Sequence, residues 1–245
     1  MAVGIKAIVT GHSRGFGEGI TRPLLERGVS VLGISRRGNA KLAATHAAQL
    51  REAQLDLSDA QATGKWFETD ALSSFVRDAR TAILVNNAGL LQPIGPLQQQ
   101  EAGDVWRAVS VNVGAALSLS AAFVQATERC DERRILHISS GAGRKAYAGW
   151  SVYCATKAAL DHHARAIELD RTPKLRICSL APGVIDTEMQ AEIRSTSADR
   201  FPEKERFVTM KREGTLRSPE RVGVMTVELL LSASFGDEVI AELPR

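Results

Sequence analysis

The sequence predicts a doubly wound α/β domain: a parallel sheet of about seven strands with helices on both faces. Three observations lead there. Short apolar runs alternate with longer stretches of helical periodicity along the whole chain. A glycine-rich turn lies directly between the first apolar run and the first helical stretch. No internal repeat, low-complexity tract or Pro/Gly/Ser-rich linker divides the 245 residues, so one domain over residues 1–245 is the economical reading.

The strands come in order. IKAIVT (5–10), VSVLGIS (29–35), AILVNN (82–87), RILHIS (134–139) and LRICSLA (175–181) are β-branched or Leu-rich and bounded by polar or glycine residues. Continuous apolar runs of that length mark strands buried on both faces. EAQLDL (52–57) is a weaker sixth, and EVIAEL (238–243) a seventh at the sheet edge. Helical stretches fall at 16–27, 40–49, 59–79, 98–129, 152–170 and 219–232. Strand–helix alternation implies right-handed crossovers and a parallel sheet. The charged segment at about 188–215, with Pro202 and Gly214, stands apart as a mobile excursion of one or two short helices, the place for a substrate lid.

Composition narrows the class. The chain is 44% hydrophobic and 24% charged with a formal net charge of +3, and its basic residues form no stripe, which argues against nucleic acid. No apolar run approaches the ~20 residues of a membrane span, and the N-terminus lacks a signal-peptide pattern. Cys130, Cys154 and Cys178 are odd in number and widely spaced, which fits reduced thiols in a cytoplasmic protein and no metal site.

The turn TGHSRGFGEGI places Gly11, Gly15 and Gly17 between a strand and a helix N-terminus. Glycines let the backbone approach a pyrophosphate, and the helix start supplies free N–H groups and partial positive charge. That context reads as a dinucleotide site in a Rossmann-type domain. Where many such folds place an acid for the ribose 2′-hydroxyl, the second strand ends ISRRGN, with Arg36 and Arg37, and Arg14 sits in the glycine loop. Guanidiniums there grip a 2′-phosphate, so the cofactor is read as NADP(H). His12, in the same loop, is read as an incidental side chain. Farther on, SVYCATKAAL sets Tyr153 and Lys157 four apart, on one helical face; alone, that spacing is an ordinary helix face.

Together, TGHSRGFG, NNAG (86–89), Asn112, ISSGAG (138–143), YCATK (153–157) and APGVIDTEM (181–189) occur in the order and spacing of the short-chain dehydrogenase/reductases, which the chain resembles from residue 5 to about 190. Within that family SRGFG, GWSVYCATKAALD and LAPGVIDTEMQ look toward sepiapterin reductases and the bacterial benzil-reductase-like carbonyl reductases. The resemblance implies roles. Tyr153 is the acid/base, Lys157 lowers its pKa and holds the nicotinamide ribose, and Ser140 orients the substrate carbonyl ahead of its neighbour Ser139. Asn112 holds a water linking Lys157 to solvent. The loop residues Gly11, Ser13, Arg14, Gly15, Phe16 and Gly17 hold the cofactor, with Asp56 and Leu57 against adenine. Asn86, Ala88 and Gly89 form the central wall, and Pro182, Gly183, Ile185 and Thr187 the nicotinamide end. Gly141 and Gly183 join Ser140 and Tyr153 around the substrate, with Trp150 on the pocket wall.

The implied activity is NADPH-dependent reduction of a ketone or diketone. Alternatives are a 3-oxoacyl carrier-protein reductase, an NAD(P)-dependent alcohol dehydrogenase and a catalytically silent NADP(H)-binding regulator. The intact Ser140, Tyr153 and Lys157 set speaks against the last. Sepiapterin reductases use a C-terminal aspartate to anchor the pterin; Ile240 stands at that position here, which directs the reading toward apolar or aromatic carbonyls. The family's long helices, with small residues such as Ala115, Ala116, Ala158 and Ala159, imply a homodimer or homotetramer.

Overall fold

Seven parallel strands form one sheet in the order β3-β2-β1-β4-β5-β6-β7 in the computed structural model, which describes residues 4–244. They are β1 (Ile5–Thr10), β2 (Ser30–Ser35), β3 (Leu50–Gln54), β4 (Thr81–Asn86), β5 (Glu132–Ile138), β6 (Leu175–Ala181) and β7 (Ile240–Glu242). Every pairing is parallel. Chain order reverses between β1 and β4, which opens a crevice beyond their C-terminal ends.

On one face lie α1 (Gly15–Glu26) and α10 (Pro219–Leu231), burying Ile20, Leu24, Val227 and Leu230 against Val9 and Val85. The other core layer joins Ile8, Leu84 and Ile135 to Leu72 and Phe75 of α4 (Ala71–Val76), and to Leu119 and Phe123 of α6 (Ala115–Ala126). Between these elements lie α2 (Ala40–Thr45), α3 (Ala60–Phe67) and α5 (Ala102–Val109).

Three expectations shift. The third strand covers 50–54, pairing Val31 with Leu50 through Ser35 with Gln54. Leu55 and Leu57, which drew the expected strand to 52–57, are buried in the loop beyond it. The stretch 59–79 is two helices, because the chain turns at Thr69, whose hydroxyl donates to Trp66 O, before Asp70 opens α4. The stretch 98–129 is α5 and α6 joined by a π turn at Ser110–Gly114. The resulting helical run Ala102–Ala126 is long and apolar enough to cross a membrane, contrary to expectation. Its apolar side chains Ala115, Leu119 and Phe123 face the sheet, which makes it a core helix.

The charged 188–215 segment forms α8 (Glu188–Ser195) and α9 (Lys204–Arg212). Phe201 and Phe207 anchor it, joining Leu91, Trp150, Tyr153 and Ile193 of α8 in a third apolar cluster.

Candidate active site

A cleft of about 1550 Å³ opens where the order of β1 and β4 reverses. The two strand ends are stitched together: Thr10 Oγ1 accepts from the N–H groups of Asn87 and Ala88 at 2.9 and 3.0 Å, and Asn87 Nδ2 donates to Thr10 O at 2.8 Å. α1 starts from Arg14 in extended backbone with no side chain capping it. Its first-turn N–H groups are therefore left for an anion in the cleft. A Cβ on Gly17 would stand 2.0 Å from Gly11 O, so the loop closes only around glycine. The cradle fits a dinucleotide pyrophosphate. Gly17→Ala is expected to lower stability by about 1–3 kcal/mol and weaken cofactor binding, checked by thermal unfolding and cofactor titration.

The loop residues Gly11, Ser13, Arg14, Gly15, Phe16 and Gly17 line this cleft, and His12 does not. Arg36, Arg37, Asp56 and Leu57 line the end of the cleft that lies beyond β2 and β3. Arg14 forms an ion pair with Glu188 at the start of α8. The N–H and hydroxyl of Ser58 hold the Asp56 carboxyl below its ordinary range, with a further contribution from Arg36. Ala88, Gly89, Pro182, Gly183, Ile185 and Thr187 continue along the floor.

Asn86 is a correction. It is buried among α6 and β5, where Nδ2 donates to Ser120 Oγ at 3.1 Å and meets His137 Nδ1 at 3.1 Å. Adjacent strand residues point to opposite faces, so Asn87, and not Asn86, meets the cleft.

The reacting end is carried by α7 (Ser151–Asp170), whose Tyr153, Lys157 and Asp161 succeed one another at helical spacing and are all buried. Lys157 Nζ donates to Ile138 O at 2.7 Å and stands 5.6 Å from the centre of the Tyr153 ring. Ser140, just beyond β5, accepts the Ala142 N–H at 3.1 Å, which caps the short 3₁₀ turn Gly141–Gly143. Burial pushes the Tyr153 phenol up to about 12, with a bond to Ser140 acting the other way. Desolvation of the phenol dominates its shift. Burial lowers Lys157 to about 8, against the attraction of Asp161.

Asp161 accepts from Ser179 Oγ at 2.7 Å and from Arg144 Nε at 3.3 Å. Arg144 also holds Glu242 at 2.6 Å, tying the last strand to α7 through Asp161.

Asn112 sits in the π turn. Its Nδ2 hydrogens go to Leu90 O at 2.8 Å and Thr156 Oγ1 at 3.1 Å, and Oδ1 accepts Leu90 N–H at 2.7 Å. The amide thus joins the segment beyond β4 to α7. Its Oδ1 and Lys157 Nζ both border Gly89, 3.5 and 3.6 Å from where a Cβ there would stand.

Trp150 lies on the cleft wall as expected, stacked on Phe201 at 4.4 Å and edge-on to Tyr153 at 5.5 Å between ring centres. Ile240 packs against the core, while Glu242 reaches the cleft edge, a carboxylate that alignment of the tail overlooked. The sequence reading also missed His12, which is fully buried between Glu52 Oε1 at 2.6 Å and Ser35 Oγ at 3.2 Å. Its only local signal is Gly33 in an otherwise apolar strand: a Cβ there would lie 2.4 Å from the imidazole.

Comparison with known proteins gives this arrangement a lineage. Residues 6–198 match the family model described as short chain dehydrogenase. The chain is 36% identical over 236 residues to a benzil reductase ((S)-benzoin forming) of Bacillus cereus, covering 93% of this chain and 94% of that one. It is 31% identical over 231 residues to the sepiapterin reductase of Rattus norvegicus, covering 85% and 84%. A short-chain dehydrogenase/reductase from Burkholderia vietnamiensis, 47% identical, superposes with a TM-score of 0.73 over 97% of this chain and 96% of that one. The resemblance read from the motifs is thereby established: the chain belongs to the short-chain dehydrogenase/reductase family of oxidoreductases, among relatives that reduce carbonyls.

Proposed function

We propose that the protein is an NADPH-dependent reductase of apolar or aromatic ketones and diketones. The observation that carries this reading is the convergence of Ser140, Tyr153 and Lys157 on one cleft that also holds the glycine cradle and an aromatic wall. Bound NADPH supplies a hydride. The residues present do the rest. Tyr153, protonated at neutral pH, donates its phenolic hydrogen to the carbonyl oxygen. Ser140, bonded to the phenol, orients that oxygen and offsets its developing charge. Lys157, fixed by Ile138 O, holds a cation beside the ribose and the ring. Asn112, next to it across Gly89, serves a proton path from solvent.

Arg14, Arg36 and Arg37 at the adenosine end favour the 2′-phosphate of NADP(H) over NAD(H). The wall of Trp150, Leu91, Ile193 and Phe207 offers apolar surface and favours an aromatic carbonyl. The names of the benzil reductase relatives point the same way. The helices α8 and α9 act as the substrate lid of a single catalytic domain, and the enzyme works as a homodimer or homotetramer in the cytoplasm.

NADPH oxidation measured against aromatic diketones, pterins, quinones, acyl thioesters and steroids tests the reading. Turnover of aromatic diketones well above the other classes is expected. Turnover confined to acyl thioesters, or none with any ketone, defeats it.

A further inference from the structure

The group beneath the arginine turn is a buried hydrogen-bonded relay. His12 is fully buried, and its two ring nitrogens face Glu52 Oε1 at 2.6 Å and Ser35 Oγ at 3.2 Å. A serine hydroxyl has one hydrogen. Ser35 Oγ lies 2.6 Å from Arg37 O, a carbonyl that can only accept. The shorter contact takes the hydrogen, so the Ser35 hydroxyl donates to Arg37 O. His12 Nε2 faces the Glu52 carboxylate, and Nδ1 lies against the Ser35 oxygen, so the ring is wedged between the two.

The same carboxylate organises the adjoining turn. Glu52 Oε1 accepts the Asn39 N–H at 2.7 Å, and Asn39 Nδ2 donates to Ser13 O in the glycine loop at 3.0 Å. A Cβ at Gly38 would stand 2.8 Å from Glu52 Oε2, so the turn wraps closely around that carboxylate. Although burial works against it, the bonds from His12 and from Asn39 N–H hold the Glu52 carboxyl below its ordinary value. Arg36 and Arg37 therefore hang on a turn fixed at Arg37 O by Ser35 and at Asn39 by Glu52, with His12 bridging the two.

We propose that His12 is a positioning residue for cofactor selection: wedged between Glu52 and Ser35, it keeps the Ser35 hydroxyl on Arg37 O and Glu52 on Asn39 N–H, and so holds the arginine turn where a 2′-phosphate is gripped. The inference rests on the NADP(H) reading and adds the residues that set it up. His12 touches no reacting atom. Its signature is selective, because NAD+ lacks the 2′-phosphate and gains nothing from a held arginine turn.

The test is titration of the purified protein with NADP+ and with NAD+, for the wild type, Ser35→Ala and Ser35→Thr. Ser35→Ala is expected to weaken NADP+ binding about five- to tenfold and leave NAD+ binding unchanged. Ser35→Thr, which keeps the hydroxyl, restores NADP+ affinity. Equal weakening of both cofactors, or none, overturns the proposal. A wild type that binds both equally overturns the NADP(H) reading itself and this inference with it, and that result is read before any variant is made. His12→Gln, with thermal unfolding to check that it folds, gives a second readout on the residue itself: it is expected to weaken NADP+ binding and spare NAD+, and equal loss of both overturns the proposal.

Discussion

Replacing Tyr153 by phenylalanine is expected to slow ketone reduction about 10²- to 10⁴-fold, the usual contribution of a positioned proton donor. The substitution removes one oxygen and leaves the ring in place. Trp150 stands edge-on at 5.5 Å and the ring belongs to a cluster with Phe201 and Phe207, so packing survives. Ser140 stands near enough to the phenol to lower its pKa, and loss of the hydroxyl leaves that side chain to bond water or substrate. Cofactor titration and thermal unfolding should therefore stay close to wild type while kcat collapses. A variant that turns over a diketone as fast as wild type would remove Tyr153 from the chemistry.

Lys157→Met should separate activity from stability. Loss of the cation beside the ribose is expected to reduce kcat/KM at least about 10²-fold, an effect comparable with losing a preorganised charge elsewhere. Stability should move the other way. Burial lowers the lysine from 10.5 to about 8, which corresponds to roughly 3 kcal/mol of unfavourable desolvation at neutral pH. The variant also loses the 2.7 Å bond from the charged amine to Ile138 O, worth about 1.5–3 kcal/mol. Desolvation is at least as large, so the variant should match or exceed wild-type stability by up to about 1 kcal/mol, a rise of up to a few degrees in Tm.

The sign with pH comes from the depressed value. Between about 8 and 10.5 the folded lysine has shed its proton while the unfolded one keeps it. Unfolding then takes up a proton, so wild-type stability gains as pH rises through that window. The advantage of Lys157→Met should be full below about pH 8 and shrink toward pH 10.5. Thermal unfolding of both proteins from pH 7 to pH 10 measures it; a variant less stable at every pH would contradict the balance.

The sheet was legible because strands covered on both faces need continuous apolar runs, and β1, β2, β4, β5 and β6 have them. Legibility fell where that rule lapses. In β3, at the edge, the apolar pair Leu55 and Leu57 belongs to the loop beyond the strand. The π turn left no mark on hydrophobic periodicity, because Val111 and Val113 read equally well in an α-helix. Asn86 was misplaced because NNAG as a motif carries no phase, whereas the strand alternates. Ser140, Tyr153 and Lys157 were reached through the family resemblance, whose motifs ISSGAG and YCATK are short local runs. His12 was not, since its meaning depends on Gly33, Ser35 and Glu52, which only the sheet brings beside it.

The turn at Ser110–Gly114 constrains chain length as much as chemistry. It holds one residue beyond an ordinary helical turn, so α5 and α6 on its two sides are out of phase. Deleting a single residue there would close the wide turn to an ordinary helical one. Leu119 and Phe123 would keep their place on the sheet, but the widening that carries the Asn112 amide to Leu90 would be lost. Chimeras that exchange this half of the molecule with a relative must therefore splice outside the turn, keeping its residue count intact.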